Sequence, residues 1–299
     1  MKRDIYQEIT DKIVTQLEQG VRPWLKPWSA EHLAGNVMLP LRHNGVPYRG
    51  VNVIALWMQA LAIGYRAPRW MTFKQAIDLG AGVRKGEKGT LTAFASALSR
   101  TETNEATGEE TARDIHYLKG YTVFNVEQID GLPEDYYAKP APKSETRPRI
   151  ERAEAYFAAT GACIRHGGNR AFYARGSDHI QMPPFETFRD AESYYAVRAH
   201  ECTHWTGAEK RLNRTFGKSH GDDDYAREEL VAELGSAFLC AQLELTPEVR
   251  DDHASYLAHW LAVLKQDKRA IFQAAAHAQR AADFLNGLQP HAAEENRAA

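Results

Sequence analysis

The first twenty residues alternate apolar and charged positions at helical spacing and predict an amphipathic helix over about Asp4–Glu18. VRPWLKPW then reads as a turn. YRGVNVIAL reads as a strand or turn passing into a helix around Asn52–Ala62, and WMTFKQAIDLG as a helix ending at Gly80. VRKGEKG is a tight basic turn before two strand-like runs, TLTAFAS and IHYLKGYTVFNV. Between those runs the polar, acidic segment Ser99–Asp114 has the composition of a mobile hairpin loop. AKPAPKSETRPR is rich in proline and charge and has little to bury, so it reads as a linker. Downstream, apolar spacing is mainly helical, and QPHAAEENRAA reads as a frayed tail. The expected fold class is α+β in two domains: an α+β domain over 1–137, a linker over 138–149, and a mainly helical domain over 150–299.

Composition narrows this picture. The chain has 299 residues, 43% hydrophobic and 25% charged, as expected of a soluble globular protein. There is no apolar run of about 18 residues, so no membrane span is expected. The N-terminus lacks the apolar centre of a signal peptide. Three scattered cysteines make no disulfide framework and suit a reducing cytoplasm. A net charge of −2 gives no global reason to bind nucleic acid, so any such role must come from a local surface.

The sharpest chemical signal is His200-Glu201-Cys202-Thr203-His204, an H-E-x-x-H string. It lies in a predicted helix with Asp190 as N-cap and Gly207 as its stop. Histidines four apart share a helix face, which suits a tetrahedral zinc ion with Glu201 as general base for a bound water. A second helix is predicted from Asp222, with Leu230, Leu234, Ala237 and Phe238 facing the core. On it, Glu229 and Glu233 are four apart and share a face, so one can bind metal while the other orients a ligand histidine. Glu229 is favoured as ligand, Glu233 as the orienting group, and Glu228 is expected to face solvent. The pattern resembles a gluzincin-type metallopeptidase, in which two histidines and a glutamate from a second helix hold zinc. Tyr194, Tyr195, His179 and His220 are candidate transition-state donors, and no motif singles one out. Cys202 reads as a small core residue.

The first half interleaves cations and aromatics: Trp24, Lys26, Trp28, Arg49, Arg69, Trp70, Lys74, Arg84, Lys85 and Lys88. Bases of single-stranded DNA stack on exposed aromatics while Lys and Arg follow phosphates. Core packing is the competing use of each tryptophan. No phosphate-binding glycine loop is present, since the glycines of Arg84–Gly89 do not follow strand–loop–helix order.

Taken together, Trp24–Trp28 (W-x-x-P-W), Pro47–Asn52 (P-Y-R-G-x-N), Trp70–Ala76, Val83–Gly89 and Val123–Gln128, followed by H-E-x-x-H-W-T-G, resemble ArdC-type antirestriction proteins. The same strings are similar to the N-terminal part of TraC-type primases of conjugative plasmids. The resemblance spans nearly the whole chain. It implies an N-terminal single-stranded DNA-binding domain joined to a zincin-like metallopeptidase domain, and protection of incoming plasmid DNA from host restriction. It also implies one divalent metal, Zn2+ before Mn2+ or Co2+, with a host restriction-system protein as a candidate substrate. Two alternatives stay open on sequence: a DNA-binding protein whose metal site is structural or silent, and a plain zinc metallopeptidase.

Overall fold

The computed structural model describes residues 3–25, 37–103, 110–138, 146–215, 223–247 and 253–290. Lys26, Trp28 and His220, much of the expected linker and most of the expected tail lie outside these residues.

Helix α1 (Ile5–Glu18) starts where the Asp4 side chain accepts a hydrogen bond from the Gln7 backbone N–H. Ile9, Ile13 and Leu17, at four-residue spacing, form its buried face. YRGVNVIAL does not form a strand: it opens helix α2 (Val51–Ile63), which Gly64 closes in the left-handed conformation at φ 89°. Five of its residues, Val51 to Trp57, are buried, so this helix is apolar on more than one side and shows no clean amphipathic stripe. WMTFKQAIDLG divides in two. Arg69–Thr72 is strand β2, beside the short β1 (Leu41–Arg42), and Phe73–Asp78 is α3. The division falls at Thr72, which forms a reciprocal capping box with Gln75 and so starts the helix later than apolar spacing suggested.

After the short strand β3 (Gly82–Val83) come β4 (Thr90–Thr103) and β5 (Glu110–Asn125). The main sheet has the order β1-β2-β5-β4, with β1 and β2 parallel and the other pairs antiparallel. The β4–β5 ladder runs without a break from Thr90↔Val123 to Thr103↔Glu110. Most of Ser99–Asp114 is therefore paired strand, not loop; only 104–109 lies outside the described residues. Threonine suits a strand, and a polar composition does not by itself argue against backbone pairing. β3 pairs instead with β6 (Ile129–Asp130).

Helix α4 (Thr146–Ala159) begins inside the segment expected as linker. Pro148 lies in its first turn, where a missing N–H costs no helical hydrogen bond. A three-stranded sheet that sequence did not anticipate follows: β7 (Cys163–His166), β8 (Phe172–Ala174) and β9 (His179–Met182), in the order β7-β9-β8. Among the described residues four helices follow: α5 (Ala191–Thr206), α6 (Asp223–Leu243), α7 (His253–Gln266) and α8 (Ala270–Gly287).

The hydrophobic core does not divide at the expected linker. Ile9, Ile13, Trp24 and Val53 belong to one buried cluster with Trp205, Phe238, Trp260 and Leu285. Across this seam the Trp24 and Trp260 rings meet edge-on at 5.7 Å, and Thr10 Oγ1 donates to the Lys268 carbonyl at 2.7 Å. The fold is α+β, as expected, and the N-terminal segment is built into the helical half.

Candidate metal centre

Helix α5 runs through the centre of the helical half, and almost every residue from Ser193 to Thr206 is buried. Asp190 caps it, accepting from the Ser193 backbone at 2.7 Å, and Gly207 is its C-cap. His200 and His204 sit one turn apart with ring centres 4.9 Å from each other. Helix α6 approaches at Gly235, where an added Cβ would come within 2.6 Å of the Thr203 side chain. A glycine inside a helix costs about 1 kcal/mol relative to alanine. Here it allows the two helix backbones to close, and Ser236 Oγ then reaches the Ala196 carbonyl at 3.0 Å.

That approach sets three glutamates against the two histidines. Glu229 Oε2 lies 3.6 Å from His200 Nε2, and its Oε1 lies 3.4 Å from His204 Nε2. One ligand atom from each of His200, His204 and Glu229 falls within 4.8 Å of the others, a span that one ion can bridge. Each histidine turns its other nitrogen to a second carboxylate. His204 Nδ1 is 3.1 Å from Glu228 Oε1, and His200 Nδ1 is 3.6 Å from Glu233 Oε1. Carboxylates behind Nδ1 favour the tautomer that leaves Nε2 as lone-pair donor.

Glu228 does not face solvent. It is buried and held by Arg214, whose Nη2 donates to Oε1 at 2.8 Å and Nε to Oε2 at 3.0 Å. The same guanidinium donates to the Thr203 carbonyl at 2.6 Å and to Thr206 Oγ1 at 2.8 Å, so it also fastens the end of α5. The reason is that α6 is enclosed on several sides, by α5 and α8 above all, and has no fully solvated face. No spacing rule marks Arg214, because its partner lies 14 residues away in sequence. Glu233 is held from the other half of the chain: Trp24 Nε1 donates to its Oε2 at 3.2 Å, and the Arg22 guanidinium lies 3.9 Å away.

The electrostatics suit a cation. Burial opposes a charge on His204, but the carboxylates of Glu229 and Glu228 outweigh it and lift its pKa to about 10. His200 is raised in the same sense against the same burial, by Glu229 and Glu233. Glu229 is half-buried, and the loss of water acts to raise its pKa, yet the two histidines hold it well below the usual carboxylate range. Two imidazoles and a carboxylate are a known catalytic zinc donor set, so these residues fit a divalent ion.

Glu201 is buried beside its histidine. Tyr225, one turn before Glu229, escaped the sequence reading. Burial raises its pKa; its bond to the Tyr256 hydroxyl at 3.2 Å acts against this, and the carboxylates of Glu229 and Glu201 add to the rise. The helical spacing Tyr225–Glu229 was the available signal. The nominated donors have other partners: Tyr194 Oη meets His166 Nε2 at 2.8 Å, Tyr195 Oη donates to Glu154 at 2.6 Å, and His179 Nδ1 meets Ser177 Oγ at 2.7 Å. Cys202 is a buried core residue, its thiol pushed up to about 12 by burial.

The residues nominated for DNA are dispersed. Trp24 and Trp70 are buried and offer no ring face to a base; Trp70 packs edge-on against Tyr65 at 5.7 Å. Arg49 pairs with Asp283 of α8. Arg69 lies 3.5 Å from Asp135 and over the Tyr136 ring, Lys74 bonds Asp78 at 2.9 Å, and Arg84 bonds Glu87 at 2.8 Å. Lys85 and Lys88 are exposed on the turn before β4.

An H-E-x-x-H helix and a glutamate-bearing partner helix, joined to an α+β N-terminal half, define a two-domain protein with a zincin-like domain. Residues 151–277 match the zincin-like metallopeptidase family, and residues 3–124 match the N-terminal domain of anti-restriction factor ArdC. Among solved structures, the chain is similar to the antirestriction ArdC protein of plasmid R388. The metal-free form shares 46% identity with a TM-score of 0.80, over 97% of this chain and 99% of that one. The Mn(II)-bound form shares 45% identity at a TM-score of 0.80, over 96% and 99%. The protein y4eC of Sinorhizobium fredii is 43% identical over 97% of this chain and 94% of its own length. The DNA primase TraC of Escherichia coli is 37% identical over 99% of this chain, which spans only 28% of the primase. The chain belongs to the ArdC antirestriction family. Among the described residues, no helix is long and apolar enough to cross a membrane.

Proposed function

We propose that the protein binds single-stranded DNA through its N-terminal half, carries a metal-dependent peptidase site in its C-terminal half, and protects incoming plasmid DNA from restriction. The observation that carries the peptidase reading is Glu201. It is not needed as a ligand, yet it is buried next to the His200, His204 and Glu229 cluster. A divalent ion held by those three residues, Zn2+ or another such as Mn2+, would supply Lewis acidity to a peptide carbonyl and to a water. Glu201 takes the proton of the attacking water and returns it to the leaving amine. Glu228 and Glu233 hold the imidazoles in register, and Tyr225 places a hydroxyl donor next to Glu229. The match to the ArdC N-terminal domain and the likeness to TraC primases support the DNA-binding half of the reading.

The test is Glu201→Gln in a cell-based restriction assay on entering plasmid DNA, with metal content measured in parallel. The variant is expected to keep its metal and lose protection. Full protection by a metal-loaded Glu201→Gln protein would leave DNA binding alone as the protective activity.

A further inference from the structure

Trp24 and Trp70, two of the tryptophans that sequence offers to DNA, are committed to the core, so neither supplies a stacking face. Around Gly120 the β4–β5 ribbon is covered on one face; the opposite face is open at Phe94, Tyr117, Lys119 and Tyr121 and closes at Thr92 and Val123, which are buried. On the covered face an added Cβ at Gly120 would meet Leu91 at 2.9 Å and Ile5 of α1 at 3.2 Å. Along the ribbon's edge, the Asn52 side chain of α2 accepts from the Ala93 N–H at 2.7 Å and donates to its carbonyl at 2.8 Å. Successive side chains of a strand alternate between faces, so positions 117, 119 and 121 lie opposite Gly120, as does Phe94, the register partner of Lys119. Phe94 is 47% exposed, Tyr117 44% and Tyr121 39%.

We propose that this open face, through Phe94, Tyr117 and Tyr121 with Lys119 among them, is where single-stranded DNA stacks. The proposal rests on the DNA-binding reading above and gives it a location. Phe94 and Tyr121 meet edge-on at 6.0 Å, so their rings stand at right angles and leave a face of one available to a base. Lys119 Nζ sits 5.3 Å from the Tyr121 ring centre, which puts a cation beside a stacking platform. Tyr117 and Tyr121 are about 13 Å apart along an extended strand. Stacked nucleotides rise about 3.4 Å each, so the two rings address separate bases and Lys119 lies level with the phosphates between. None of the positions 94, 96, 117, 119 and 121 is acidic, so the face presents rings and positive charge to a polyanion. Stacking needs unpaired base faces, which selects single strands over duplex.

The test uses the full-length protein and a fluorescein-labelled oligothymidine, read by anisotropy. Phe94→Ala/Tyr117→Ala/Tyr121→Ala should weaken binding at least about tenfold. Tyr117→Phe/Tyr121→Phe keeps the rings and should stay within about twofold of wild type. Lys119→Gln should lower the salt slope by about 0.7, the share of one phosphate on a single strand. These side chains are exposed, so the thermal midpoint and metal content should not change. If wild type binds and the triple alanine variant binds equally well, the stacking face is wrong while DNA binding stands, and the aromatics are left as a protein-docking patch. If wild type does not bind the oligonucleotide, both readings fall. Equal loss in the phenylalanine variant would show that the hydroxyls act, and would overturn stacking.

Discussion

His200 and His204 sit one turn apart on one helix, yet the carboxylates behind them are secured in different ways. Glu228, behind His204, is gripped by two guanidinium bonds from Arg214, a residue of the segment that follows the same helix. Glu233, behind His200, receives a neutral indole N–H from Trp24 and has Arg22 at a longer 3.9 Å. The Nδ1–carboxylate distances follow suit, 3.1 Å against 3.6 Å. One support is local, charged and tight. The other is looser and comes from a segment at the far end of the sequence. The candidate metal centre is therefore finished by a part of the chain that matches the N-terminal domain, so its integrity reports on the docking of the two halves.

Breaking the tight support should have the largest effect. Arg214→Met strands the buried Glu228 carboxylate and removes two further bonds to α5. Loss of one partner from a buried ion pair costs about 3–5 kcal/mol. Urea unfolding should show a drop of that size; a loss under about 1 kcal/mol would mean that Glu228 finds water or another cation. Glu228→Gln is milder for the fold and more direct for the metal. It weakens the acceptor behind His204 Nδ1, and changes of this kind lower metal affinity about 10–100-fold. Competition against a chromophoric chelator measures this, and unchanged affinity would remove Glu228 from any role in orienting His204.

Both supports depend on the approach of α6 to α5. Gly235→Ala places a methyl against Thr203, and overpacking of this kind costs about 1–3 kcal/mol. Thr203→Ala in the same chain removes the atoms met first, so the double variant should recover part of the loss. An additive double variant in thermal unfolding would show that the contact is not what limits the approach.

How far sequence could see follows from the same geometry. The spacing of His200, Glu201 and His204 can be read because one helix sets it; Glu229 stands out in sequence only by its four-residue step from Glu233, and the packing of α6 on α5 is what brings it to the histidines. Glu228 was misplaced, because its burial depends on Arg214 and on helices packed around α6. Trp24 was nominated for DNA on the strength of neighbouring cations, and its ring instead closes the core against Trp260 while its N–H serves Glu233. A composition argument cannot separate an aromatic that packs from one that is exposed. The small β7-β9-β8 sheet was missed for a related reason, since its strands have only three or four residues each.

The smallest effect on the metal should come from loosening the weaker support. Trp24→Phe keeps an aromatic ring against Trp260 but deletes the N–H that Glu233 accepts and part of the buried indole volume. A hydrogen bond to a charged group contributes about 1.5–3 kcal/mol, but Arg22 stands close enough to move in and recover part of it. The cavity and the lost bond together should cost about 1–3 kcal/mol of stability, with metal affinity lowered less than about tenfold. Adding Arg22→Met removes the substitute donor, so the double variant should lose more affinity than the two single variants combined. Chelator competition on the four proteins gives this coupling directly. If stability falls while affinity stays at the wild-type value in all of them, Trp24 is a packing residue alone, and the N-terminal segment has no hold on the metal centre.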